Sequence, residues 1–105
     1  MTCEDTQPTR ITWEVQLYEI VTGMWISRGY GRATTTADPA DIARAALTAY
    51  LAGTSAHGGE TFRALARPDG GQPVIVTPDE LPAGEVGAAA RQALPHYLRE
   101  ALAAG

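Results

Sequence analysis

Arg28, Tyr30 and Arg32 recur at alternate positions of one predicted strand, and a strand sends such residues to a common face. Cations interleaved with an aromatic ring on an open sheet can pair phosphates and stack bases, as single-strand nucleic-acid platforms do. Tyr18, Arg63 and Arg67 on other predicted strands could join the row. The preferred alternative is a solvated face whose Arg side chains pair with Glu14 and Glu19. A second candidate is His57-Gly-Gly-Glu60, an imidazole and a carboxylate in a glycine-rich loop, which could form a ligand or acid/base pair. Against it stands the plain reading of a polar loop.

Trp13 and Trp25 fall on adjacent strands of a predicted hairpin. Trp is enriched at binding hot spots, yet a small domain with a single Phe needs its aromatics inside, so core use is the safer reading of both. Trp13 travels with Ile11, Val15 and Leu17. Trp25, near the turn after Gly23, is the better anchor for a protein partner, together with Tyr18 and Tyr30.

Other chemistry finds no support in the motifs. The chain holds no HxH, HExxH or CxxC pairing, so no metal is predicted. It has no GxSxG, no P-loop and no dinucleotide fingerprint; Gly29-Tyr30-Gly31 lacks the third glycine and the helix context. No catalytic residue and no cofactor is therefore assigned, and the reading leans away from an enzyme.

The elements that must position these residues read as two ββα units. Arg10 to Val21 alternates as a half-buried strand, with Ile11, Trp13, Val15 and Leu17 on one face. Thr22-Gly23 turns the chain into a second strand, Met24 to Thr36, whose pattern blurs after Ser27. Gly29 and Gly31 on one face mark a bulge or a close approach, and that face is expected to lie under a helix. Asp38 as N-cap, Pro39 at the first helical position and Asp41 in the first turn open a helix that should stop near Gly53. Thr61 to Arg67 and Pro73 to Thr77 flank the turn signal Pro68-Asp69-Gly70-Gly71. A capping box at Thr77 to Glu80 predicts a short turn, followed by a longer helix from about Gly84 that is kinked at Pro95. His96 falls on the surface of that helix. The expected architecture is α+β: a four-stranded antiparallel sheet with two helices on one face and the other face partly open.

Length and composition bound the rest. At 105 residues the chain is one small domain, residues 10–105, after a tail over residues 1–9 expected to be disordered. No apolar run could span a bilayer and no secretory signal is visible at the start, so a soluble, cytoplasmic protein is expected, with no membrane partner. All eight basic residues are Arg, and neither Lys nor Asn occurs, usage that resembles the coding bias of a GC-rich bacterial genome such as an actinobacterial one. A net charge of −4 argues against non-specific coating of nucleic acid. The lone Cys3 can form no disulfide within the chain.

Trp13 to Leu51, a strand, a Thr-Gly turn, a strand and an Ala-rich helix with Tyr50-Leu51 near its end, is similar in layout to the N-terminal part of HicB-like antitoxins. It departs from them before the helix, where that family usually carries a Pro-acidic-apolar-Pro-Gly-Cys segment. No ribbon-helix-helix or helix-turn-helix tail follows Thr77 either. The expected function is a small, non-enzymatic protein-interaction module of antitoxin, immunity, inhibitor or accessory-subunit type, self-associating as a homodimer. The alternatives are nucleic-acid binding through the Arg/Tyr face, and a small-molecule-binding domain or minor enzyme with a site around His57 and Glu60.

Overall fold

The computed structural model describes residues 8–52, 61–80 and 87–104. Strand β1 (Thr9–Glu19) and strand β2 (Met24–Thr35) form the first hairpin, paired antiparallel from Thr9 opposite Thr35 to Glu19 opposite Met24. The turn between them closes where the Gly23 N–H donates to the Glu19 carbonyl at 2.8 Å. Gly23 has φ of 72°, a left-handed conformation that costs a residue with a Cβ. β1 begins at Thr9, which therefore belongs to the sheet rather than to the tail.

The alternation of β2 changes phase in its middle. Val15 faces Gly29, whereas Gln16 faces Ser27, which makes Arg28 the extra residue of a β-bulge. Met24 and Ile26 consequently share the side of Leu17, and Tyr30 and Arg32 take the opposite side with Glu14 and Thr12.

Helix α1 (Pro39–Ala52) starts as the residue types require. The Asp38 carboxylate accepts from the Ala40 N–H at 3.1 Å, and the Asp38 carbonyl accepts from the N–H groups of Asp41 and Ile42. Ile42, Ala43, Ala45, Ala46, Leu47 and Ala49 are buried, a broad face made mostly of small residues that lets the helix approach the sheet closely.

Strand β3 (Phe62–Pro68) pairs with the other edge of β1, and the short β4 (Val74–Val76) pairs with β3. The turn between them has Gly70 at φ 76°. The result is an antiparallel sheet in the order β2-β1-β3-β4 with helices, an α+β fold. Helix α1 packs on β1, β3 and β4. The core forms where Ile11, Trp13 and Val15 of β1 meet Phe62, Ala64 and Ala66 of β3 beneath Ile42 and Leu47.

The second half departs from a ββα unit that ends in one kinked helix. A single 3-10 turn spans Pro78–Glu80, and two separate helices follow, α2 (Ala88–Gln92) and α3 (His96–Ala104). Pro95 has no N–H to continue the ladder, so the chain breaks over Ala93–Pro95 and restarts, instead of kinking within one helix. Ala90, Leu94 and Leu98 keep their apolar phase across the break and are buried, chiefly against α1. Among the described residues no helix is long and apolar enough to cross a membrane.

On the glycine face of β2, Trp13 of β1 packs against Gly31. A Cβ on Gly31 would fall 2.7 Å from an indole carbon of Trp13, so the missing side chain is what lets the ring lie against β2. Residues of the corner Gln92–Tyr97 line a cavity of about 400 Å³ together with Trp13 and Tyr30–Ala33.

Candidate functional site

Among the described residues the helices pack on one face of the sheet and none packs on the other. Register fixes what that other face carries. Arg32, Thr12 and Arg67 form one cross-strand row, Tyr30, Glu14, Leu65 and Ile75 the next, Ser27, Gln16 and Arg63 the third, and Trp25 with Tyr18 the last, nearest the hairpin turn. The sequence-derived candidates Tyr18, Trp25, Tyr30, Arg32, Arg63 and Arg67 thus meet on one surface.

Trp25 is the structural centre of one end. It meets the Tyr18 ring edge-on at a centroid distance of 5.2 Å, and the Arg63 guanidinium carbon sits 3.9 Å above its ring centroid. The Arg63 Nε donates to Gln16 Oε1 at 2.7 Å, and the Gln16 amide donates to Glu14 at 3.2 Å. The chain Glu14–Gln16–Arg63–Trp25–Tyr18 crosses three strands and holds its central ring half-buried. Such contacts restrict rotamers before a partner arrives, which lowers the ordering cost of binding. Tyr30 is 76 % exposed at the other end of the face, and Ile75 adds apolar surface on β4.

Electrostatically the face opposes the rest of the chain. Arg32, Arg63 and Arg67 lie on it with Glu14 as the carboxylate among them, although the chain carries −4 overall. Among the described residues Arg32, Arg63 and Arg67 form no ion pair with Glu14 or Glu19. Glu14 accepts from Gln16 and Glu19 from the Thr22 hydroxyl at 2.7 Å, while Arg44 pairs with Asp41 on the helix surface. The face therefore presents a locally positive field.

Arg28 does not belong to this surface. As the bulged residue it reaches back toward the helical side, where its Nε donates to the Tyr50 hydroxyl of α1 at 3.2 Å. The predicted row Arg28–Tyr30–Arg32 is thereby divided, with one cation spent on tying β2 to α1. His57 and Glu60 lie outside the described residues. His96 is on the helix surface as expected, 3.0 Å from Glu100. Among the described residues no group of three or more His, Cys, Asp or Glu side chains comes together.

Sequence reasoning missed Gln16, which links Arg63 to Glu14, and Leu65 with Ile75, which give the face its apolar middle. Leu65 was findable: Phe62 faces inward, so Ala64 and Ala66 must too, which turns Leu65 outward with Arg63 and Arg67. Comparison of the chain with family models, with curated proteins and with solved structures found no match, so the functional reading rests on this geometry.

Proposed function

We propose that the protein is a non-enzymatic protein-interaction module that docks an acidic partner surface on the open face of its sheet. The observation that carries this reading is the Trp25 cluster, in which Tyr18 and Arg63 hold a Trp ring on a face that none of the described helices packs on. Trp, Tyr and Arg are the residue types most enriched at binding hot spots. The positive field supplied by Arg32, Arg63 and Arg67 selects for a partner of opposite charge and accelerates encounter.

The same Arg residues favour a second reading, single-stranded nucleic acid. Two features count against it. Arg63 already occupies one face of the Trp25 ring, where a base would stack, and Arg28 is directed elsewhere. The testing experiment is capture from lysate of the native host by immobilised wild-type, Trp25→Ala and Arg63→Ala chains, with bound species identified by mass spectrometry and nuclease sensitivity. The expected result is a defined acidic protein, retained at least tenfold less by both variants, which is the loss of a single hot spot. Nuclease-sensitive capture would assign the face to nucleic acid, and capture indifferent to both substitutions would refute the open face as the site.

A further inference from the structure

Strand β2 is anomalous within this fold. It spans Met24–Thr35 at an edge of the sheet and contributes no buried residue, whereas β1 and β3 each bury three. Exposed large apolar side chains gather on it and on the turn before it: Ile20, Val21, Met24, Ile26 and Tyr30. Proteins usually blunt a long edge with Lys, Pro, a covering element or a bulge. β2 has neither Lys nor Pro, among the described residues no strand pairs with its outer edge, and its bulge at Arg28 leaves the arm Gly29–Thr35 regular.

We propose that this arm pairs antiparallel with the same arm of a second copy, about a two-fold axis through Gly31, joining two four-stranded sheets into one. Residues opposite each other in an antiparallel pair point their backbone groups alike, so a two-fold between identical strands must pass through a residue. An axis at Arg32 sets that guanidinium against itself, a penalised like-charge pair, and one at Tyr30 pairs only residues 29–31 of the regular arm before the bulged Arg28 interrupts it. An axis at Gly29 would need the bulged Arg28, which points to Tyr50. An axis at Ala33 leaves Tyr30 without an opposite residue on the arm. The axis at Gly31 places Tyr30 opposite Arg32 of the partner, twice by symmetry, with both residues on the open face and both exposed. A cation then meets an aromatic ring in each pair. Gly31 at the axis brings no side chain into the contact.

Strand pairing does not depend on the open-face reading, because its test uses no external partner. Light scattering of the full chain at rising concentration should give twice the 11.1 kDa chain mass. Tyr30→Ala should weaken the dimer by about tenfold, since two cation–aromatic pairs are lost. The register is read separately by mixing Tyr30→Cys and Arg32→Cys chains, each also Cys3→Ser, under mild oxidation. A cross-link should form in the mixture and not in either variant alone, since the diagonal 30–30 and 32–32 separations exceed disulfide reach. A mass of 11.1 kDa throughout would overturn the proposal. So would a dimer that ignores Tyr30→Ala and forms no mixed cross-link, or a monomer whose β2 amide resonances shift on adding an oligoglutamate peptide, which would assign the edge to a separate acidic strand.

Discussion

β1 and β2 are neighbours in one hairpin, close in length and paired from end to end, yet Ile11, Trp13 and Val15 of β1 are buried and no residue of β2 is. Backbone pairing is common to both, so it cannot explain the difference. What separates them is the layer above. Helix α1 sits on β1, β3 and β4, and the strands beneath it carry large apolar residues or Ala according to the space left under it. β2 lies at the edge of that cover, with Gly29, Gly31 and Ala33 on the helical side of its second half and Tyr30 and Arg32 on the other. The covered half supplies the buried core, and the uncovered half leaves aromatic and cationic side chains exposed.

That division can be broken most severely at Trp13. Trp13→Ala should cost about 3–5 kcal/mol in urea unfolding, the usual loss for a buried aromatic; a cost near that of a surface residue would show that α1 does not depend on this ring. Gly31→Ala comes next. Its Cβ would meet Trp13 at 2.7 Å, and overpacking of this kind costs about 1–3 kcal/mol. Combining it with Trp13→Phe should recover part of the loss, because the smaller ring vacates the contact; strict additivity would contradict the packing assigned to the pair. Asp38→Ala removes the helix cap and should cost about 1 kcal/mol. On the uncovered half the effects on folding fall off. Trp25→Ala loses an edge-on ring contact and a guanidinium stack and should lower stability by about 1 kcal/mol. Arg44→Ala, which removes an ion pair with Asp41 on the helix surface, should be smallest, within about 0.5 kcal/mol.

Much of the covered half was legible in the residues. The alternation of β1, the Asp38-Pro39 helix start and the Asp69-Gly70 turn are local signals, and each appears at its expected place. Two of the structural departures arise where local patterns permit more than one continuation. An unbroken apolar phase through Leu94 and Leu98 fits a kink or a restart equally, and the missing Pro95 N–H decided for a restart. In β2, apolar Met24 and Ile26 occupy even positions whereas Gly29, Gly31 and Ala33 occupy odd ones. That switch is the trace of the bulge, and reading across it put Arg28 on the wrong face. Most of the candidate surface was legible, since strand parity alone collects Tyr18, Arg63 and Arg67. The Arg63–Trp25 stack was not, because it depends on strand order and on the long-range pairing of Gln16 with Arg63.

The most direct test of the account is partner capture by the Trp25→Ala chain, measured on protein shown by urea unfolding to retain the fold. The account predicts a folded chain within about 1 kcal/mol of wild type that holds its protein partner at least tenfold less well. A folded Trp25→Ala chain that captures the partner as wild type does would contradict it, and would place function away from the uncovered face.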